Sequence, residues 1–146
     1  RDTNYSTSRL INKETPEFKI ISFDETNFYT RDDIKKNNFT LINFWASWCA
    51  PCKIEHPVLM KLSENKNLVI LGINFKDKKI LAEKFLYKLG NPYDLLAKDI
   101  KGKQSVIFGV YGIPESILIN KDLTIMQKFV GPLTFDDYNN IIEIIE

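Results

Sequence analysis

Residues 40–52 read TLINFWASWCAPC and hold both cysteines of the chain, Cys49 and Cys52. Residues 40–45 form a nearly unbroken apolar run of strand length, which is typical of a parallel strand covered on both faces. The period then changes, because apolar residues recur every four positions at Ile54, Val58 and Leu62. A helix is therefore predicted to begin close to the cysteines, with Pro57 kinking it or interrupting its first turns.

A second strand and a second helix follow. Residues 68–75, LVILGINF, predict another buried strand. The next helix ends at Gly90, a common helix terminator, and its apolar stripe consists of Leu81, Phe85 and Leu89. Residues 91–112 are a looser segment without a clear period.

The last part of the chain predicts a hairpin and a final helix. The runs ESILIN and TIMQKFV are predicted to be strands joined across a short turn at residues 120–122, so they must pair antiparallel. Thr134 and Asp137 resemble a capping box that opens a helix, and the apolar stripe of this helix consists of Tyr138, Ile141, Ile142 and Ile145.

The N-terminal residues are polar and aperiodic, so residues 1–15 are expected to be a flexible tail or linker. Residues 16–146 are expected to form one domain, which starts with a short edge strand in EFKIISF and a polar stretch that continues to Asn38. The resulting order β-α-β-α-β-β-α predicts an α/β fold with a central mixed sheet flanked by helices.

Composition excludes several kinds of partner. The 146 residues include 20 Lys and Arg and 19 Asp and Glu, with no basic or acidic run suited to nucleic acid or to an anionic membrane. No apolar run approaches the roughly 18 residues of a membrane span. The chain begins at Arg1 rather than Met, so we expect a processed or shortened chain from which any upstream signal peptide or membrane anchor is missing.

The two cysteines are expected to differ in acidity. Cys49 would lie at the first turn of the helix, where free N–H groups and the helix dipole favour a thiolate, and Cys52 would lie deeper on the same face. Cys49 is therefore the predicted attacking thiol and Cys52 the resolving one. No cationic residue separates them, Pro51 lacks an N–H donor, and Glu55 follows on the same face. These features oppose a very acidic thiol and predict a reductant or a mild exchanger.

Two other uses of the cysteines stay open. His56 shares a helical face with Cys49 and Cys52, but about 10 Å of helix separates Cys49 from His56, whereas two ligands of one zinc ion stand about 4 Å apart. A transient soft-metal site at the cysteines alone is the related alternative. A purely structural disulfide would close a very short loop and contribute little stability.

The motif WASWCAPC, with GIPE ahead of the hairpin, resembles the thioredoxin fold and its W-C-x-x-C active site. CKIEHPVL, GINFKD, LGNPY and GVYGIPESILI further resemble the CcmG/DsbE group, the periplasmic thiol-disulfide oxidoreductases of cytochrome c maturation. The resemblance covers about residues 16–146 and implies a thioredoxin fold with an N-terminal extension and a central insertion.

The resemblance also implies a role. The protein would be a monomeric, membrane-tethered periplasmic reductant, with no cofactor beyond the redox-active disulfide Cys49–Cys52 and no metal. Its partners would be apocytochrome c or its thiol carrier, and a membrane reductase of the CcdA/DsbD kind that supplies electrons. Because Ala50 and Pro51 also occur between the cysteines of general thioredoxin-like reductants, a broad extracytoplasmic reductant is one alternative. A non-catalytic copper carrier or haem-ligation scaffold is another.

The implied site extends beyond the cysteines. Pro114 matches the proline that takes a cis peptide bond beside the redox pair, and Ile113 would offer main-chain groups to an extended substrate. Glu55 and Glu115 match acidic positions near the active site; a partly buried carboxylate there can exchange a proton with Cys52. The alternatives are an exposed helical charge for Glu55 and a surface residue for Glu115. The remaining groove positions are Trp48, Ala50, Pro51, Tyr111 and Gly112, whereas His56 is expected to be half-exposed and without a catalytic role.

Overall fold

The computed structural model describes residues 11–146. Within this range seven strands lie at β1 Lys19–Ile21, β2 Phe28–Thr30, β3 Phe39–Trp45, β4 Leu68–Phe75, β5 Leu95–Asp99, β6 Glu115–Asn120 and β7 Ile125–Val130. Helices in this part of the chain are α1 Arg31–Ile34, α2 Ala50–Leu62, α3 Lys79–Leu89, α4 Lys103–Ile107 and α5 Phe135–Ile145.

The central sheet has five strands in the order β5-β4-β3-β6-β7. Strand β3 is parallel to β4 and antiparallel to β6, and β6 and β7 form the predicted antiparallel hairpin. This arrangement confirms the α/β fold with a mixed sheet. Phe44 pairs with both Ile73 and Glu115, so the ends of β3 and β4 and the start of β6 meet at one edge of the sheet. The loop that carries the cysteines leaves β3 at this edge.

Helices cover both faces of the sheet, and the alternation of side chains in β3 assigns each residue to a face. Leu41 and Trp45 pack in the core formed with α2, α3 and α5. Ile42 and Phe44 pack in the core on the opposite face, with β1 and α1. Asn43 is in phase with Leu41 and Trp45, so this polar side chain faces α2 from the middle of the sheet.

The segments for which the sequence predicts no regular structure contain additional strands and helices. Residues 91–112 include β5 and α4, and the polar stretch that precedes β3 includes β2 and α1. Strand β5 pairs in parallel with β4, and β2 pairs with β1 in a separate two-stranded sheet. All four elements have five residues or fewer, too few to establish a hydrophobic period.

The described residues that precede Pro16 are attached to the domain. The Asn12 N–H donates to the carbonyl oxygen of Ile125 at 2.8 Å, and the Thr15 N–H donates to that of Leu123 at 2.7 Å. Glu14 forms an isolated bridge with Thr124. These contacts begin before the predicted boundary at Pro16; the rest of the predicted tail, residues 1–10, lies outside the described residues.

Two helices present faces that differ from the predicted stripes. In α2 the side chain of Ile54 is 71% exposed, whereas Glu55 and His56 are buried. In α3 Leu81 and Leu89 are exposed, and the core positions are Ala82, Phe85 and Leu86. A spacing of four residues drifts around a helix of 3.6 residues per turn, which explains both differences. Pro57 lies inside α2, which continues without the interruption predicted there.

Candidate active site

The two cysteines form a disulfide at the start of α2, with their Cα atoms 5.3 Å apart. Cys49 is the N-cap residue, and its sulfur accepts a hydrogen bond from the Cys52 N–H at 3.3 Å. Cys49 is 5% exposed and Cys52 is 1% exposed, so Cys52 is the deeper sulfur. Ala50 and Pro51 are exposed between them. The position of Cys49 at the helix start agrees with the sequence prediction.

The turn before Cys49 is fastened to the loop after β4. Asp77 accepts hydrogen bonds from the Ser47 N–H at 2.7 Å and the Ser47 hydroxyl at 2.8 Å. It also accepts from the Asn74 amide at 3.1 Å and the Lys78 N–H at 2.8 Å. Trp48 is 58% exposed, and its indole N–H donates to the Lys76 carbonyl oxygen at 3.0 Å. Trp48 is therefore held at the surface beside Cys49.

The segment of residues 111–115 enters the same edge of the sheet. The Ile113–Pro114 peptide bond is cis, as the resemblance implied. Ile113 packs against the core cluster that contains both cysteines. Tyr111 is exposed, and a Cβ atom built on Gly112 would meet no atom within 4 Å. The protein itself therefore does not require glycine at position 112.

Glu115 is buried, so the alternative of a surface residue is wrong. The Lys128 Nζ lies 3.0 Å from the Glu115 carboxylate and donates to the Gly109 carbonyl oxygen at 3.1 Å. The pair lines a pocket of about 490 Å³ together with residues 111–114. Lys128 thereby connects both ends of the segment that carries the cis bond.

Glu55 is fully buried, so the alternative of an exposed helical charge is wrong too. Its carboxylate accepts hydrogen bonds from the Asn43 amide at 2.9 Å and from the Leu133 N–H at 3.1 Å. Burial raises the pKa of Glu55 from 4.5 to about 7, although these two hydrogen bonds favour the charged form and oppose the rise. Glu55 lies one helical turn after Cys52, and it can change its protonation state near neutral pH.

Asn43 extends this polar cluster into the sheet. Its amide nitrogen also donates to the Ser116 hydroxyl at 3.0 Å, and its oxygen accepts from the Tyr93 hydroxyl at 2.8 Å. Burial, with a smaller contribution from the charge of Glu55, raises the pKa of Tyr93 well above 10. Tyr93 therefore stays a neutral donor, and Asn43 orients its NH₂ group toward Glu55.

His56 is buried rather than half-exposed. Its Nε2 lies 2.8 Å from the Gly90 carbonyl oxygen, and its ring meets Phe85 edge-on at 5.1 Å. Burial lowers the pKa of His56, while the contact with Gly90 opposes this shift. These contacts join α2 to the end of α3 and give His56 a packing role.

Three residues of this region were missed by sequence reasoning. Asn43 interrupts an apolar run, Lys128 places a charge in a strand, and Asp77 follows the end of β4. A polar residue inside a buried strand, or just after its carboxyl end, was the available signal.

The W-C-x-x-C turn connects a buried strand to the start of a helix. A buried acid, Glu55, lies one helical turn after Cys52, and the cis-proline segment reaches the same edge of the sheet. This combination defines a thiol-disulfide oxidoreductase of the thioredoxin fold. The chain belongs to the Redoxin family, whose family model matches residues 11–142.

Curated relatives carry related names. The thiol:disulfide interchange protein CycY of Rhizobium leguminosarum bv. viciae is 50% identical over 99 residues, which span 68% of this chain and 53% of the relative. HelX of Rhodobacter capsulatus, also named a thiol:disulfide interchange protein, is 36% identical over 135 residues, or 92% of this chain and 76% of the relative. These relatives support thiol-disulfide exchange as the activity.

A solved structure has the same fold. The crystal structure of a DsbE-type thiol:disulfide interchange protein from Chlorobium tepidum aligns with a TM-score of 0.77 and 26% identity, over 93% of this chain and 98% of that one. Among the described residues, no helix is long and apolar enough to span a membrane.

Proposed function

We propose that the protein reduces disulfides of apocytochrome c, or of its thiol carrier, so that haem-attachment cysteines are free for ligation. The Cys49 thiolate attacks one sulfur of the partner disulfide, and one partner thiolate leaves. The Cys52 thiolate then attacks the Cys49 sulfur and releases the second partner thiol. The partner gains two electrons and two protons, and Cys49 and Cys52 become the disulfide, which a membrane reductase of the CcdA/DsbD kind reduces again.

The observation that carries this proposal is the placement of a titratable acid below the redox pair. Glu55 is buried one turn after Cys52, and its pKa of about 7 allows it to accept and return a proton at working pH. In the reduced protein Glu55 takes the proton of Cys52 when this thiol must attack the mixed disulfide. The Asn43 amide stabilises the carboxylate during this step.

The surroundings of Cys49 support the proposed direction of exchange. Within residues 11–146 the Cys49 sulfur accepts one hydrogen bond, from the Cys52 N–H, and no Lys, Arg or His lies between the two cysteines. The thiolate therefore gains modest stabilisation, which favours a reductant over a strong oxidase.

Substrate contacts are assigned to the surface around Cys49. The main chain at Ile113 would pair with an extended substrate segment, and Pro114, Tyr111 and Gly112 would line the groove with Trp48. Glu115, held by Lys128, is assigned to the same groove. The proposed location is the periplasm, with an N-terminal anchor in the inner membrane.

A trapping experiment tests the substrate. A Cys52→Ala variant is mixed with oxidised apocytochrome c and with equal amounts of unrelated disulfide-containing proteins, and a Cys49→Ala/Cys52→Ala variant is the control. We expect an adduct with apocytochrome c that forms at least about ten-fold faster than any other and is absent from the control. Equal capture of all partners would instead indicate a broad reductant. No adduct, together with stoichiometric Cu(I) binding by the wild type, would indicate a carrier.

A further inference from the structure

An apolar pocket of about 340 Å³ lies beside the redox site, between α2 and α3. Trp48 forms one wall next to Cys49, and the side chains of Leu81, Phe85 and Leu89 line it from α3. Trp48, Leu81 and Leu89 are all exposed. The volume is at the small end of the roughly 300–1,000 Å³ of ligand pockets, so it suits one or two side chains better than a large cofactor.

The wall next to Cys49 is formed before any partner binds. Two contacts hold it: the Asp77 carboxylate accepts from the Ser47 N–H at 2.7 Å, and the Trp48 indole donates to the Lys76 carbonyl oxygen at 3.0 Å. A partner that docks there does not have to immobilise the indole ring itself, which lowers the entropic cost of binding.

The rim of the pocket is positively charged. Lys53 approaches from α2, and Lys84 and Lys88 approach from α3. No carboxylate is among the described lining residues, and in residues 11–146 none of these three lysines forms an ion pair. Apolar walls with three lysine ammonium groups on the rim complement an apolar side chain flanked by carboxylates.

We propose that this pocket docks a segment of the disulfide partner that carries one apolar side chain flanked by acidic residues. The proposal rests on the proposed disulfide exchange, because the pocket shares Ser47 and Trp48 with the turn that leads to Cys49. A cysteine near such a segment is delivered to the Cys49 sulfur. The lysines therefore select among disulfide partners by charge, whereas Cys49 and Cys52 perform the same exchange on all of them.

Three disulfides test the proposal. Two are disulfide-cyclised peptides that differ only beside one cysteine, where a Leu is flanked by two Glu or by two Gln; the third is bis(2-hydroxyethyl) disulfide. The enzymes are the wild type, a Lys84→Glu/Lys88→Glu variant, and a charge-matched Lys13→Glu/Lys121→Glu control, each with excess glutathione as the electron donor that returns Cys49 and Cys52 to the dithiol, and with the rate in glutathione alone subtracted. Lys13 and Lys121 are exposed near the opposite edge of the sheet.

We expect the wild type and the control to reduce the acidic peptide with a kcat/KM roughly ten-fold above that of the Gln peptide at low salt. About 0.5 M salt should remove most of this preference. The Lys84→Glu/Lys88→Glu variant should lose the preference at every salt concentration, mainly through KM, and should reduce bis(2-hydroxyethyl) disulfide at the wild-type rate.

An unchanged preference in the Lys84→Glu/Lys88→Glu variant would overturn the proposal, and so would equal rates of the wild type on the two peptides. Wild-type dimerisation at micromolar concentration that the same variant abolishes would assign the pocket to a second copy of this chain instead. If the wild type reduces none of the three disulfides, disulfide exchange itself fails and the docking proposal falls with it. Normal reduction of bis(2-hydroxyethyl) disulfide separates the two failures.

Discussion

Replacing Glu55 with Gln should change how the stability of the oxidised protein depends on pH. The carboxyl pKa is about 7 in the folded protein and 4.5 in the reference state, a difference of about 2.5 pH units. Between these values the folded state holds a proton that the unfolded state has lost. Glu55 therefore lowers the unfolding free energy of the wild type by about 2.5 kcal/mol as the pH rises from 5 to 8.5. Buried His56, whose pKa is lowered, contributes in the opposite direction, but it does so in every variant and cancels in the comparison.

The Gln variant lacks this titration but has a constant cost. Its NH₂ group must face one of the two donors that now contact the carboxylate, Asn43 and Leu133, which costs about 1–3 kcal/mol at all pH values. We therefore expect Glu55→Gln to be less stable than the wild type at pH 5. The difference should shrink or change sign by pH 8.5.

Urea denaturation of the oxidised proteins at half-unit steps from pH 5 to pH 8.5 measures this effect. The oxidised form is used because its cysteines do not titrate. Glu83→Gln, at an exposed position on α3, is the matched control and should follow the pH dependence of the wild type. A difference in unfolding free energy between Glu55→Gln and the wild type that stays constant with pH would show that Glu55 does not titrate in this range.

Three further substitutions test the site and its supports. Asn43→Asp places a second carboxyl group within hydrogen-bond distance of Glu55, and the two groups cannot easily ionise together. Urea denaturation should therefore show an unfolding free energy that falls more steeply above pH 7 than in the wild type. Gly72→Ala places a Cβ atom 2.5 Å from the Tyr93 ring and should lower the unfolding free energy by about 1–3 kcal/mol. The urea midpoint should fall at an unchanged m-value, and an unchanged midpoint would contradict this packing. Asp77→Asn places an NH₂ group where Asp77 now accepts four hydrogen bonds, and should lower the unfolding free energy by about 1–2 kcal/mol. Tryptophan fluorescence should also change, because Trp48 lies in the turn that Asp77 holds. An unaltered spectrum would show that Asp77 does not hold this turn.

The junction of β3 and α2 could be predicted because two patterns change there at once. An apolar run ends at Trp45, a helical period begins within a few residues, and Cys49 lies between them. This local information was sufficient to place the redox pair at a helix start. The hairpin of β6 and β7 was equally local, because its turn is short.

The depth of the acidic residues could not be predicted in the same way. Glu55 looks like an exposed helical charge until Asn43 and Leu133 are brought to it from 12 and 78 residues away. Glu115 likewise requires Lys128 from the neighbouring strand. A polar residue becomes stable in a core only through partners supplied by tertiary structure, which a single sequence pattern does not contain.

The short strands and helices could not be predicted for a related reason. Strand β5 is defined by its pairing with β4 rather than by a pattern of its own, and its burial is incomplete. The exposed position of Ile54 shows a second limit of prediction from sequence. Apolar residues four positions apart do not decide whether the buried face of a helix contains those residues or the residues next to them. The packing of α2 against the sheet decides between them.

A redox titration of the Cys49–Cys52 pair against glutathione measures whether the protein acts as a reductant. Because the attacking thiol has little cationic support, we expect a reduction potential between those of protein disulfide isomerase and thioredoxin, about −180 to −270 mV. A value near −120 mV, that of a strong oxidase, would rule out a reductant.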